Sequence, residues 1–367
     1  MGVEGWSGGE RANLARHASA DRRRAMSDSA DKELRRYVAR DLVYGNEPGL
    51  RFGCILDGKG GATNVDWAGV RRWSPEQGVL WVHIERDNDA AATWLRRESG
   101  IDTVTCDALL VEDSRPRVED IGDALFVVLR GINVSEHEEL VPIHIWVDAH
   151  RVITMRDRSS FLSALRDIRE DLTNGKGPTT SGKLFVKVLR KIVKPVPPLL
   201  AEIDDEVDDL DEKIVASASS ETAREKIGAI RRRAIHLRRY LAPQREALTR
   251  LQHEEVTWLT GRERVHLREV ADLVQRTVEN LDMIRDRTTI LHEDMAAITA
   301  EKIATTSNRL AALAAVLLPP SLVAGMLGAN IGGIPGPDDP WAFVILCLVI
   351  LAFLATEVWV LKKFKWF

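Results

Sequence analysis

The sequence predicts an α+β cytoplasmic domain followed by a long stalk helix and two C-terminal transmembrane helices. Three observations carry that prediction. β-Branched and aromatic runs separated by turn residues lie between residues 50 and 160. From Lys183 onward the pattern is almost wholly helical. Nearly all the long apolar sequence lies in two stretches within the last 60 residues.

The composition sets the outer bounds. With 367 residues, 45% hydrophobic and 29% charged, the chain is globular on average and is not mainly disordered. Its net charge of -4 excludes a whole-chain basic nucleic-acid binder. Cys54, Cys106 and Cys347 are odd in number and far apart, which excludes a disulfide scaffold and a cysteine-based zinc motif.

Taken in order, residues 1–45 are polar and charged and lack an apolar signal-peptide core, so a partly disordered tail is predicted. Residues 46–182 form the α/β cytoplasmic domain. Its strand candidates are 78–84 (GVLWVHI), 124–129 (ALFVVL), 141–147 (VPIHIWV) and 151–155 (RVITM), the last two joined by a hairpin at Asp148-Ala149-His150. Residues 94–98 and 159–172 read as helix, and 174–182 (NGKGPTTSG) as a break.

Residues 183–308 form a helical hairpin and the stalk helix. Pro195, Pro197 and Pro198 interrupt the helix once. Ile203, Val207, Leu210 and Ile214 then fall at helical spacing, beside the acidic residues Glu202, Asp204, Asp205, Glu206, Asp208, Asp209, Asp211 and Glu212. The next helix is basic, with Arg231, Arg232, Arg233, Arg238 and Arg239. Two readings stay open: an antiparallel hairpin held partly by charge, or a solvated charged face. Further on, Leu267, Val274, Leu281, Thr288 and Met295 interleave with Val270, Thr277, Ile284, Leu291 and Ile298. That is a coiled-coil-like seam. No Pro or Gly occurs between Arg262 and Leu318, so one helix is predicted to run unbroken from 262 to 327, roughly 100 Å at 1.5 Å per residue. A helix of that length does not hold alone in water, and self-association around the seam is expected.

Residues 309–329 are the first, pore-lining transmembrane helix, 330–340 the outer loop, 341–361 the second transmembrane helix and 362–367 a basic tail. Residues 310–329 carry no charge, and 341–361 only Glu357. About 20 apolar residues span a ~30 Å hydrocarbon core. The loop NIGGIPGPDDP has no Lys or Arg, whereas the tail KKFKWF has Lys362, Lys363 and Lys365. Positive residues stay inside, so both termini are expected in the cytoplasm of a multi-pass inner-membrane protein. Trp341, Trp359 and Trp366 suit the two interfaces.

Two spans do not surround an ion path, but several copies of them do. Ser307, Leu310, Ala314, Leu318 (or Leu317), Ser321, Gly325 and Gly328 follow near +3/+4 spacing on the first span. Rings of Leu gate by dewetting, and rings of Ser or Asn hold a hydrated ion. The alternative is ordinary small-residue packing between membrane helices. Asn330 ends the span; its neutral amide oxygen accepts hydrogen bonds from metal-bound water, or it caps the helix. Asp338 and Asp339 in the loop raise the local cation concentration.

The string Leu317-Leu318-Pro319-Pro320-Ser321, then Gly325-Met326-Leu327-Gly328-Ala329-Asn330, resembles the CorA metal ion transporter family. That family closes its first span with Gly-Met-Asn and ends in a Lys-rich tail near Trp; here these are Gly328-Ala329-Asn330 and Lys362-Lys363-Phe364-Lys365-Trp366. Ala329 in the middle position, with Ile331-Gly332-Gly333-Ile334-Pro335-Gly336 after it, resembles the zinc-transporting ZntB branch. Glu112-Asp113-Ser114-Arg115-Pro116-Arg117 and Leu129-Arg130-Gly131-Ile132-Asn133 agree with that branch. The resemblance implies a funnel-shaped homopentamer whose long helix lines stalk and pore. It also implies that Gly328, Ala329 and Asn330 form the selectivity entrance, and that Leu310, Leu318 and Ser321 line the pore. Pro320 departs from the Leu expected after the first Pro, and the pair Pro319-Pro320 is expected to disturb the helix because neither has an N–H.

The expected function is divalent metal cation transport, with Zn2+ uptake leading because of Ala329 and the following loop, and proton coupling implied by the resemblance. Mg2+, Co2+, Ni2+ and Cd2+ are further candidate cargo. The alternatives are a CorA-type Mg2+/Co2+ channel, Zn2+ efflux, and a membrane-anchored coiled-coil scaffold. Partners are other copies of the chain, the lipid bilayer and divalent cations, with no tightly bound cofactor and no nucleic acid. An enzyme is not indicated: Gly58-Lys59-Gly60-Gly61 lacks phosphate-loop spacing, and His253-Glu254 and His292-Glu293 lack a second His. His144 and His150 straddle the predicted hairpin, where a facing pair is one reading and a structural role the favoured one; His83 is expected to be packed in a strand. Metal ligands in the funnel are left unassigned.

Overall fold

Strands form where β-branched and aromatic residues run together, and here they assemble into one mixed sheet with helices on both faces. The computed structural model describes residues 47–112, 115–133, 139–157, 163–217, 221–328 and 341–363. The predicted tail 1–45, the outer loop 330–340 and the last four residues lie outside the described residues.

The described residues hold seven strands: β1 (Leu50–Leu56), β2 (Ala62–Val65), β3 (Val79–Glu85), β4 (Arg117–Ile121), β5 (Ala124–Asn133), β6 (Glu139–Val147) and β7 (Arg151–Arg156). Their order is β2-β1-β3-β7-β6-β5-β4, antiparallel throughout except for the parallel pair β3/β7. The four strands legible in the sequence, β3, β7, β6 and β5, are four of the five interior ones; β1 is the fifth. Leu125 to Leu129 are fully buried, because helices cover both faces of the sheet. β6 and β7 make the expected hairpin, Val147 opposite Val152. Asp148 Oδ1 accepts from the His150 and Arg151 N–H groups at 2.9 and 2.7 Å and closes the turn.

One face is covered by α1 (Trp67–Arg72), α2 (Asp89–Arg97) and α3 (Thr103–Leu110). Trp94, Leu95 and Leu109 pack there with Leu80, Val82, Phe126 and Ile153 of the sheet. Each helix starts at a side-chain cap: Asp66, Asn88 and Asp102 accept from Gly69, Ala90 and Thr105 N–H. The opposite face, reached by the alternate residues of each strand, carries α4 (Ser163–Thr173) and α5 (Ser181–Val193), with α5 against β5 and β7.

Three long helices follow: α6 (Val196–Ser217), α7 (Glu221–Leu251) and α8 (Gly261–Gly328). The chain divides into two units, one up to Glu206 plus Ile230–Asp286, the other Val207–Ala229 plus Arg287–Phe367. In the first unit Ile203, Ile230, Leu237, Leu241, Leu267, Val274 and Leu281 are buried. Glu206–Arg233 (3.6 Å) and Asp282–Arg238 (2.6 Å) link α6 to α7 and α7 to α8. In the second, Val207, Leu210, Ile227, Leu291 and Met295 are buried and Arg287 pairs with Asp208.

The neighbours that the seam is expected to need are helices of the same chain. Nine of the seam's ten positions, Leu267 to Met295, are buried within a single chain, and Ile298 is half-buried. The apolar stripe is satisfied by the chain's own helices, so it creates no need for a second copy. Both charge readings have a share: Glu206–Arg233 joins the acidic helix to the basic one, while Asp205, Asp209, Asp211 and Glu212 are exposed.

The expectation at Pro319-Pro320 is corrected. α8 stays helical through both prolines to Gly328. Two prolines remove only the N–H donors facing the carbonyls one turn below; the flanking turns keep theirs, and Ser321 Oγ adds a 2.6 Å hydrogen bond to the Leu317 carbonyl. Of the two predicted spans, the described residues hold one helix long and apolar enough to cross a membrane, α8, and a shorter apolar stretch, Phe343–Glu357, within α9 (Ala342–Lys363). Glu357 closes that second stretch.

Candidate ion pathway

The end of α8 reverses the usual burial rule. Leu310, Leu317, Leu318, Leu322 and Met326 are each more than half exposed in the isolated chain, as are Trp341 and, in α9, Phe343, Ile345, Leu348 and Leu351. A contiguous apolar surface of this kind needs lipid or other protein around it. The sequence-predicted positions Ser307, Leu310, Ala314, Leu318, Ser321 and Gly325 are all exposed. At 100° per residue they fall within an ~80° arc of one helix face. Because the helix is unbroken, a single stripe joins Ser307 below the prolines to Gly325 above them. Exposure alone does not single it out, since Leu313, Leu317 and Leu322 on other faces are exposed too.

The chemistry of the stripe is neutral. The Ser321 proton is committed to the Leu317 carbonyl, which leaves the hydroxyl oxygen free to accept from an ion's water shell. Gly328 is the last residue of α8; Ala329, Asn330, Asp338 and Asp339 lie outside the described residues. At the other end of α9, the Lys363 ammonium sits over the Trp359 ring, 5.0 Å from its centroid. Lys362 is in the last turn and Lys365 lies outside the described residues. Glu357 Oε2 is buried without a hydrogen-bond partner among the described residues.

The histidines do not assemble a metal site. His144 and His150 do not face each other, which leaves the favoured structural reading for His144. His144 is buried opposite Met155 and donates from Nδ1 to the Leu109 carbonyl at 2.5 Å, while His150 sits exposed in the turn. The hairpin carries them to different surroundings because one lies in a central strand and the other in the turn. Burial pushes His144 down to about 4, so it is neutral at pH 7. His83 is packed, as expected: Nδ1 meets the Thr154 carbonyl and hydroxyl, and Nε2 accepts from Arg156 Nε at 3.1 Å. Burial, then the Arg156 charge, hold it well below its ordinary range. Among the described residues no group of three or more His, Cys, Asp or Glu converges as a metal site. Gly58-Lys59-Gly60-Gly61 is the β1–β2 turn, tied by Asp57 Oδ1 to the Lys59 and Gly61 N–H groups at 2.7 and 2.9 Å.

Arg130 of the Leu-Arg-Gly-Ile-Asn motif has a structural use. It lies over the Tyr240 ring at 4.2 Å, donates to the Leu140 carbonyl at 2.9 Å, and its N–H donates to Gln244 Oε1 at 2.8 Å, locking β5 to α7. The sequence reading missed a further feature, a basic face on α5 formed by Lys183, Lys187 and Arg190. Its signal was present as +4/+3 spacing.

A mixed sheet covered by helices, followed by long helices and an exposed apolar helical end at Gly328, is the build of a membrane-associated protein. The chain belongs to the family of CorA-like Mg2+ transporter proteins, whose model matches residues 76–363. It is 35% identical over 328 residues to the divalent cation transporter CmaX of Pseudomonas aeruginosa, covering 88% of this chain and 98% of that one. It is 31% identical over 314 residues to the zinc transport protein ZntB of Pectobacterium carotovorum, covering 85% and 94%. The full-length CmaX structure superposes with a TM-score of 0.75 at 33% identity, over 88% of this chain and 99% of CmaX. The complete CorA magnesium transporter of Methanocaldococcus jannaschii shares the fold, with a TM-score of 0.73 at 17% identity over 86% and 98%.

Proposed function

We propose that this protein carries divalent metal cations across the cytoplasmic membrane, as a homopentamer with two spans per chain and both termini inside. Zn2+ uptake is the leading reading. The observation that carries it is the unbroken α8, whose exposed apolar end stops at Gly328, the first residue of the Gly328-Ala329-Asn330 signature. Five copies of one stripe supply the path that a single chain lacks. Ser307, Leu310, Ala314, Leu318, Ser321 and Gly325 line it, Asn330 meets the ion's water shell, and Asp338 and Asp339 gather cations outside.

A neutral lining favours a hydrated ion, since stripping a divalent ion of water needs charged ligands in return. An inside-negative potential drives two charges inward by about 4.6 kcal/mol per 100 mV, so uptake needs no nucleotide hydrolysis. Zn2+ leads because of Ala329 and the similarity to ZntB. A second reading, Mg2+ or Co2+ conduction, is favoured by the name of the family model.

The test is ion flux into proteoliposomes holding the full chain, with Zn2+ and Mg2+ in parallel and a pH gradient switched on and off. Zn2+ entry that rises with inward proton drive and is lost in Asn330→Ala supports the proposal. Mg2+ entry without a proton effect moves the protein to the second reading. No flux of either ion leaves a membrane-anchored scaffold.

A further inference from the structure

A second site lies away from the apolar end. The cavity between α5 and the first turns of α8 has a volume of about 790 Å³, within the ~300–1,000 Å³ range of small-molecule sites. Val186, Val193, Val270 and Leu273 give it an apolar floor. Its rim is cationic: Lys183, Lys187, Arg190, Lys191, Lys194 and Arg262.

This juxtaposition follows from the sequence of α5. Lys183, Lys187, Arg190 and Lys194 repeat at +4, +3 and +4 and share one helix face, while Leu184, Val188 and Ile192 are buried on another. Some of the cations are already used. Lys187 pairs with Asp171 at 2.7 Å, Lys191 with Asp167 at 2.8 Å, and Lys183 donates to Thr179 Oγ1 at 2.8 Å. Arg190, Lys194 and Arg262 have no ion pair among the described residues. The two rim carboxylates, Glu263 and Glu269, offset part of this charge. Glu263 accepts from the Thr260 N–H at 3.1 Å and from its hydroxyl, capping α8, and Glu269 is held by His266 Nδ1 at 3.1 Å.

Six cations against the two rim carboxylates and the two aspartates that pair with Lys187 and Lys191 leave the mouth net positive, with Arg190, Lys194 and Arg262 unpaired among the described residues. This fits a ligand with an anionic head and an apolar body. Two of the three are guanidinium groups, whose paired donors match phosphate oxygens. We propose that this cavity binds a phosphate-bearing ligand with an apolar or planar body, for which ATP is the probe: Arg190, Lys194 and Arg262 hold the phosphates, and the body lies on Val270 and Leu273. The inference stands apart from the identity of the transported ion.

The experiment is calorimetric titration of the full-length protein in nanodiscs with ATP and with pyrophosphate, in EDTA so that no transported metal enters. Saturable ATP binding is expected, at least tenfold weaker in the double variant Arg190→Gln/Arg262→Gln. Leu273→Trp, which fills the floor, is expected to weaken ATP tenfold and leave pyrophosphate unchanged. Hydrogen exchange on the unsubstituted protein provides a readout free of folding effects, with ATP expected to protect residues 183–194 and 262–273. Absent binding, equal binding by the double variant, or protection elsewhere would overturn the proposal. Pyrophosphate binding as tight as ATP would reduce the site to a plain anion patch. Protection that rises with protein concentration without ATP would mean that a second copy fills the cavity.

Discussion

Leu281 and Leu310 stand on the same helix, 29 residues apart, and live in opposite surroundings. Leu281 is fully buried by its own chain; Leu310 is 63% exposed. The difference teaches that the seam and the span obey one hydrophobic rule with different partners. The seam is completed by α6 and α7 of the same chain, so its contribution is folding stability. The far end of α8 has no such cover, and its apolar surface is left for lipid or for other copies.

The largest effect that sharpens this contrast belongs to the sheet. Trp81 is wholly buried, packs edge-on against Phe52 at 4.7 Å, and donates to Thr154 Oγ1 at 3.1 Å. Trp81→Ala is expected to cost about 3–5 kcal/mol in a denaturant titration of the detergent-solubilised protein. Leu281→Ala on the buried seam should cost about 2–5 kcal/mol in the same measurement. A loss well under 1 kcal/mol there would mean that the seam is not packed as described.

At the exposed end the expectation reverses. Leu318→Ala should leave the unfolding midpoint of the sheet unit unchanged, whereas Leu318→Arg should cost about 2.5–3.5 kcal/mol in a membrane-insertion assay. Equal insertion of the arginine variant would break the comparison.

The buried histidine gives a pH signature confined to the sheet. His144 holds its folded-state pKa near 4, below the ordinary 6.5. As pH falls from 6.5 to about 4 the unfolded chain takes up a proton that the native chain does not, and stability falls by roughly 3 kcal/mol. His144→Gln should flatten the slope of unfolding free energy against pH in that window, with His83 supplying the remainder. The smallest effect is on the helices' surface. Asp282→Asn, which breaks the half-exposed pair with Arg238, should change stability by no more than about 1 kcal/mol and less in high salt.

Legibility in the sequence tracked burial. β3, β5, β6 and β7 were readable because they sit inside the sheet with both faces covered, which demands continuous apolar runs. β1 is interior too, but Arg51 and Gly53 interrupt its apolar run. β2, with Thr63 and Asn64 exposed, and β4, with Glu119 and Asp120 exposed, lie at the edges and need no such run. α5 was legible as helix, but its cations were not legible as a rim. Their +4/+3 spacing gains meaning only when Arg262, 72 residues beyond Arg190, is brought beside them.

The sequence by itself determined the local and one-dimensional features. These were the long helix without Pro or Gly before Leu318, the hairpin at Asp148, the uncharged stretch leading to Gly328, and the motif strings that placed the chain in its family. Each follows from periodicity or from neighbours within a few residues. Tertiary structure decided the rest. It set the parallel β3/β7 pair, put His144 and His150 in different surroundings, and satisfied the seam within one chain. It also carried α8 intact through Pro319-Pro320. Those outcomes depend on which distant segments meet, and on whether a group's surroundings supply or withhold a partner, and no short window of sequence encodes that.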